Sequence, residues 1–157
     1  MEYVDFLNKG AKLVYEQVVK AGYDISENSP YCLMGEKILA LHDGKNQTIH
    51  LCTRNLKSIL LWETPSVLEE DLSDSRNREA TYLMSNALTH EATHAAQYCN
   101  NGNLIAPERA SEEVTEWKSR SIGLSLVIGG TKAREEEAYL LESDPYFIAD
   151  AVKKYCF

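Results

Sequence analysis

Between Ala87 and Cys99 the chain reads "ALTHEATHAAQYC", which sets two histidines four residues apart with a glutamate directly after the first: His90, Glu91 and His94. On a helix, residues i and i+4 lie one above the other, so both imidazoles project in the same direction. Their ring nitrogens then reach a single zinc ion at about 2.0–2.1 Å. Glu91 flanks the pair without ligating, where a general base for a zinc-bound water would stand. The plainer reading is a helix carrying two polar residues by accident, because an H-x-x-x-H pair alone is common. Helical context, slim flanks at Ala92, Ala95 and Ala96, and two of the chain's four histidines in one motif favour the metal. His42 and His50 stand singly and read as structural residues.

The element that must carry this motif is the strongest helix in the sequence, "SDSRNREATYLMSNALTHEATHAAQYCNNG". Ser73 or Ser75 can cap its start, and Asn100, Asn101 and Gly102 end it. Ala80, Leu83, Met84, Ala87 and Leu88 give it a buried side that runs toward the histidine face. Upstream, Tyr3, Leu7, Ala11, Val14 and Val18 recur at helical spacing and Gly22 follows as a stop, which predicts an amphipathic helix over 2–21. "SENSPYCLMG" is a turn-rich connector. "EKILALHDGKNQTIHLC" predicts a hairpin of Lys37–His42 and Thr48–Cys52, with Leu39 and Leu41 sharing a buried face with Ile49 and Leu51. "RNLKSILLWETPSVLEEDL" holds a short apolar piece stopped near Pro65 and then an acidic segment, and its pattern types neither. Downstream, helices are expected over Glu108–Arg120, over "KAREEEAYLLES", and over "DPYFIADAVKKYC" with Asp144 as cap and Pro145 at the first helical position. The apolar, glycine-bearing "SIGLSLVIGGT" lies between the first two.

A catalytic zinc site takes three protein ligands and leaves a position for water. Two histidines therefore need one more partner. In the metzincin pattern a glycine and a third histidine or aspartate follow the second histidine closely, but Gln97 and Asn100 occupy those places, which excludes that branch. The chain instead resembles the gluzincin-type zinc metallopeptidases, in which H-E-x-x-H on one helix is completed by a glutamate in an E-x-x-A or E-x-E-A motif on a later one. Here "REEEAYLLE" reproduces E-x-E-A with Glu135, Glu137 and Ala138. The resemblance implies that His90, His94 and Glu135 hold one zinc ion, that Glu91 is the catalytic base, and that the substrate is a peptide or protein. Zinc would polarise the scissile carbonyl and lower the pKa of bound water to about 7. Glu91 would take that water's proton and pass it to the leaving amine.

Helical geometry agrees with this ligand, since Glu135, Ala138, Tyr139 and Glu142 share one face and the small Ala138 permits close packing. Three consecutive glutamates nevertheless leave the register open. Glu136 and Glu137 are alternatives, with solvent as their plainer reading, and Glu112, Glu113 and Glu116 are weaker ones. In many gluzincins a carboxylate four residues after the ligand glutamate orients the first histidine, and Tyr139 occupies that place here. The resemblance also implies a fold: α+β, mostly helical, minimal and zincin-like, with a small β-hairpin or sheet packed against the H-E-x-x-H helix. An edge strand of that sheet would align substrate, and Thr48–Cys52 is the candidate by analogy. Tyr139, Tyr146, His50 and Arg134 are candidate oxyanion stabilisers.

The whole chain bounds these readings. At 157 residues one compact domain is expected, large enough to bury a core without a metal. A net charge of −8 and no basic stripe argue against nucleic acid as a partner. No run approaches the length that crosses a bilayer, and the N-terminus lacks the pattern of a signal peptide, so the expected location is the cytoplasm, without a membrane. Four cysteines with no C-x-x-C pair do not suggest a thiolate zinc site. They permit two bridges, for instance Cys32 with Cys52 and Cys99 with Cys156, but a reducing cytoplasm favours free buried thiols. Two further functions stay in view. One is a catalytically silent zincin-fold component of a larger assembly; the other is a zinc hydrolase acting on a non-peptide amide.

Overall fold

Apolar and small residues decide the course of the central helix. In the computed structural model, which describes residues 2–63, 74–109 and 131–157, that helix is α3, Asp74–Cys99. Ala80, Met84, Leu88, Ala92, Ala95 and Ala96 are all fully buried along it. Alanine at the contact positions lets other elements approach closely from several sides. Buried threonines are satisfied on the helix itself: Thr89 and Thr93 donate to the carbonyls of Ser85 and Thr89 at 2.8 and 2.9 Å. The helix begins at Asp74, so Ser75 lies inside it, and Ser73 is outside the described residues.

Four helices surround α3: α1 (Lys9–Lys20), α2 (Thr53–Glu63), α4 (Lys132–Leu141) and α5 (Pro145–Cys156). The helix expected over 2–21 is split. Glu2–Phe6 forms a 3-10 turn and Asn8 then caps α1, its side chain accepting from the Ala11 N–H at 2.9 Å while its own N–H donates to Ser85 Oγ at 3.0 Å. An asparagine in the middle of an apolar periodicity is a cap rather than an interior residue. The apolar stripe survives the break, because Tyr3, Leu7, Ala11, Val14 and Val18 are all buried. At the far end of the fold Asp144 caps α5 at the Phe147 N–H and Pro145 opens it, as expected. Gly10 of α1 lies so close to α5 that a Cβ there would stand 2.5 Å from Pro145 Cγ.

The apolar first part of the segment that resisted typing lies in α2, with Leu56 and Leu60 buried against the core, and its acidic remainder from residue 64 lies outside the described residues. The expected Glu108–Arg120 helix falls mostly outside the described residues; Pro107–Arg109 is a single 3-10 turn. "SIGLSLVIGG" and Glu112, Glu113 and Glu116 also lie outside them.

The sheet departs from the expected hairpin in two ways. First, it has three strands, β1 (Asp24–Glu27), β2 (Ala40–Asp43) and β3 (Thr48–Leu51), in the order β1-β3-β2. β1 runs parallel to β3 and β2 antiparallel, so β3 is the central strand and the substrate-aligning edge expected at Thr48–Cys52 is already paired on both sides. Among the described residues, the sheet edge next to α3 is that of β2. Second, the hairpin register is one residue away from the expected one. Ala40 pairs Leu51 and His42 pairs Ile49, whereas Leu41 pairs His50. A one-residue shift exchanges the faces of a strand. Within β2, Ala40 and His42, not Leu41, therefore share the core-facing side with Ile49 and Leu51, while Leu39 packs against the core from just before the strand.

All four cysteines are bridged, Cys32 to Cys52 and Cys99 to Cys156. The expectation of free thiols is thus corrected. The second bridge joins the last residue of α3 to the last of α5. Among the described residues no helix is long and apolar enough to cross a membrane.

Candidate metal centre

His90 and His94 project from one face of α3 with their rings edge to face, centroids 4.9 Å apart and Nε2 atoms 3.2 Å apart. Helix α4 crosses that face. It starts at Thr131, whose side chain accepts from the Arg134 N–H, and its buried side consists of Glu135, Glu137, Ala138 and Leu141. A helix with two acids on its inner face folds this way only if each acid finds partners. Glu135 finds both histidines: Oε2 lies 3.3 Å from His90 Nε2 and Oε1 lies 3.1 Å from His94 Nε2.

The three consecutive glutamates part company by helical angle. Glu136 faces outward, 3.7 Å from Lys132 Nζ. Glu137, for which solvent was the plainer expectation, is buried: it accepts from the backbone N–H groups of Ile105 at 2.8 Å and Ala106 at 2.9 Å, and from Gln97 Nε2 at 3.0 Å. That partner set lies in a loop and on another helix, so no spacing in the chain announces it. Only Glu135 of the three joins the histidines, and His90, His94 and Glu135 form a cluster whose donor atoms lie within 4.8 Å of one another.

These residues fit a zinc ion on their own geometry. With metal–ligand distances of about 2.0–2.2 Å, tetrahedral ligand atoms stand roughly 3.3–3.6 Å from one another. The three separations here, 3.2, 3.3 and 3.1 Å, lie at the lower limit of that range or just below it. Two imidazoles and one carboxylate are also the donor set zinc takes when one position is left open.

Each of the two histidines is backed by a second polar group. Gln97 Oε1 lies 2.8 Å from His94 Nδ1. Glu142 Oε2 stands 3.5 Å from His90 Nδ1, a charge contact longer than a good hydrogen bond. The carboxylate expected four residues after Glu135 is therefore found seven after it, one turn further along the same face. Tyr139, at the expected position, instead lays its ring against His90 at 4.3 Å.

The electrostatics follow from burial against these partners. Burial alone would push the His90 imidazole down, but its contacts with Glu135 and Glu142 and the charge of Glu91 outweigh that and raise it to about 10. Burial likewise pushes the Glu135 carboxyl up, yet the two histidines hold it well below the usual carboxylate range. Glu91 is partly buried beside the pair, and desolvation raises its carboxyl. The backbone of His42 hydrogen-bonds it. This agrees with the register of β2: Cys52 N–H donates to the Leu39 carbonyl, so odd-numbered positions of β2 bond β3 and the His42 N–H faces away from β3.

The other sequence candidates separate by place. His42, read as structural, lies on the core-facing side of β2 with its ring 6.3 Å from that of His94 and 6.0 Å from that of Tyr98. Burial, and then the neighbouring His94, lower it to about 3, so it is a neutral ring at physiological pH. His50 lies on the opposite face of the sheet under Tyr31, centroids 4.7 Å apart, and cannot reach the zinc triangle. Tyr146 packs beside Gly10 of α1. Arg134 is on the first turn of α4, with Nε bonded to Thr131 Oγ1 at 3.0 Å. Of the four proposed oxyanion stabilisers only Tyr139 touches a zinc-candidate histidine among the described contacts. Sequence reasoning missed Gln97 and Glu142 as partners of the histidines, although Gln97 stands three residues after His94 and Glu142 seven after Glu135, and it missed Glu137 as the partner of Gln97, which no spacing signals.

No curated protein and no solved structure matches the chain significantly. A family model described as "Domain of unknown function (DUF8637)" matches residues 3–157, nearly the whole chain. The chain belongs to that family.

Proposed function

We propose that this protein is a zinc-dependent peptidase of gluzincin-like design, in which His90, His94 and Glu135 hold one zinc ion and Glu91 acts as general base. The observation that carries the reading is the triangle of two Nε2 atoms and one carboxylate with separations of 3.1–3.3 Å. When bound, zinc supplies Lewis acidity toward a peptide carbonyl and the acidification of water. Glu91 adjoins His90 on the same helix and points no ligand atom into the triangle. Its raised carboxyl pKa makes it a better proton acceptor than an exposed glutamate. It takes a proton from the attacking water and delivers it to the leaving amine nitrogen. Among the described residues β2 pairs on one side alone, with β3, and its other edge runs beside Glu91 and would present the Ala40 N–H and C=O to an extended peptide. His42 and Tyr98, the latter half exposed, form an aromatic ledge at the same edge.

Two disulfides favour an oxidising compartment over the cytoplasm. We therefore assign the protein to such a compartment, against the expectation from its first residues.

Metal analysis of the purified protein is expected to give about one zinc per chain. Glu91→Gln is expected to keep the zinc and lose cleavage of a peptide library, while His90→Ala loses both. A metal-replete wild type that cleaves nothing in a broad library would sink the peptidase reading and leave the silent zincin-fold component. Absence of zinc binding in the wild type would sink the metal reading itself.

A further inference from the structure

We propose that Gln97 and Glu137 are positioning residues that lock His94 in the tautomer whose Nε2 lone pair faces Glu135. The role toward zinc rests on the metal reading above, but the tautomer itself does not.

The polarity of the chain of hydrogen bonds can be followed from one end to the other. The backbone N–H groups of Ile105 and Ala106 can only donate, and they end on Oε1 and Oε2 of Glu137 at 2.8 and 2.9 Å. Both oxygens of Glu137 are therefore acceptors. The Gln97 amide turns one side toward Glu137 Oε1 at 3.0 Å and the Arg134 carbonyl at 3.1 Å. Two acceptors on that side require it to be the NH2. Its oxygen must then face His94, 2.8 Å from Nδ1. An oxygen at that distance accepts, so Nδ1 carries the hydrogen, and in the neutral ring the lone pair sits on Nε2. Nε2 is the atom 3.1 Å from Glu135 Oε1 and 3.2 Å from His90 Nε2. The lone pair thus points toward both the Glu135 oxygen and His90 Nε2, into the triangle where a cation would sit.

Burial makes the lock effective. Gln97 is 1% exposed and Glu137 4%, so water does not take over either role. A purely structural reading would have Glu137 anchor the loop at 105–106 and Gln97 fill space. That reading leaves the tautomer of His94 free, which is the measurable difference.

The test combines three variants with two readouts. Gln97→Met keeps size and burial but removes the acceptor for Nδ1. Glu137→Gln replaces one acceptor oxygen by a donor and forces a mismatch along the chain. Glu136→Gln, on the outward side of the same turn, is the control. The zinc dissociation constant is measured by competition with a chromophoric chelator. The His94 tautomer is read by nitrogen-15 NMR of the metal-free protein at alkaline pH, with circular dichroism to check the fold. Wild-type His94 is expected as the Nδ1–H form, and Gln97→Met as a mixture or the Nε2–H form. Zinc affinity is expected to fall about 10–100-fold in Gln97→Met and Glu137→Gln, and to stay within about twofold in Glu136→Gln. Wild-type His94 in the Nε2–H form overturns the proposal, as does a folded Gln97→Met that keeps wild-type tautomer and affinity. Should Gln97→Met not fold, Glu137→Gln decides by the same two readouts. A wild type that takes up no zinc refutes the metal reading, while an Nδ1–H signal lost in Gln97→Met still upholds the lock.

Discussion

Removing the Cys99–Cys156 bridge tests the largest correction to the sequence-based picture. The bridge spans a sequence separation of 57 and joins the ends of α3 and α5. Closing a loop of that length in the unfolded chain corresponds to about 4 kcal/mol of stability on the chain-entropy account. For a domain of this size each kcal/mol shifts the melting temperature by roughly 2–4 °C, so the expected loss is roughly 8–16 °C. The perturbation is the double substitution Cys99→Ala, Cys156→Ala, which leaves the Cys32–Cys52 bridge in place. Both sulfurs lie in the partly buried layer around the core, so deleting them removes little packing beyond the crosslink. Thermal melts of the oxidised wild type and the double variant, followed by circular dichroism, give the shift. Thiol titration of the unreduced, denatured wild type gives the state of the cysteines, expected as no free thiol. Four free thiols, or a double variant that melts within about 2 °C of wild type, would refute the bridge as a stabilising crosslink. Zinc stoichiometry is expected to survive the double substitution, because no donor atom comes from either cysteine.

The remaining predictions concern the site and the packing. Because His90 is raised to about 10 in the metal-free protein, zinc must displace its proton, and affinity should rise by about tenfold per pH unit between pH 7 and 9; a flat profile in chelator competition would refute this. The same protonation stabilises the metal-free fold fully below the unfolded histidine value and is lost as pH rises through about 10, so urea midpoints of the metal-free protein should fall between pH 7 and 10. Gly10→Val should cost about 1–3 kcal/mol by forcing α1 away from Pro145 of α5, seen as a lower melting temperature; no change would mean that the contact relaxes freely. Asn55→Ala removes an amide that donates to the carbonyls of Cys32, Gly35 and Ile38, and should cost about 1–3 kcal/mol and speed proteolysis between 32 and 38.

Helices were legible where one local signal sufficed. Asp144 and Pro145 announced α5, Asn100–Gly102 the end of α3, and the alanine-flanked histidines the face that α4 covers. β1 was not legible because "DISE" holds three polar residues in four, and its strand character comes from pairing with β3 across twenty-odd intervening positions. The hairpin was legible as a hairpin but not in register. The turn ends at Gln47, which takes a positive φ of 49° that its residue type does not advertise, and this brings Asp43 opposite Thr48. That single step turns His42 toward the core-facing side and makes it a neighbour of His94. α2 was opaque for a different reason: its apolar residues stop near Pro65, and the contacts that fix its start, Asn28 to Arg54 and Glu27 to Thr53, come from β1 and its end.

Within the site, the motif on α3 needed nothing beyond the sequence, since a four-residue spacing is itself the geometry of one helical face. The run Glu135–Glu136–Glu137 could not be settled that way. Successive residues on a helix turn by about 100°, so three adjacent acids must point in three directions, but the chain does not say which direction holds a partner. The structure answers for the two buried acids through groups far away in sequence, the histidines of α3 for Glu135 and Gln97 with two backbone N–H groups for Glu137, while Glu136 faces Lys132 one turn back on its own helix. The two buried acids therefore address one ring from both ends. Glu135 stands at His94 Nε2, and Glu137 acts through Gln97 on Nδ1. A one-residue shift of α4 would misplace both at once, which ties the proposed ligand and its proposed support to a single helical register. Zinc affinity should accordingly fall further for an alanine inserted just before Glu135 than for Glu137→Gln, and equal losses would separate the two roles again.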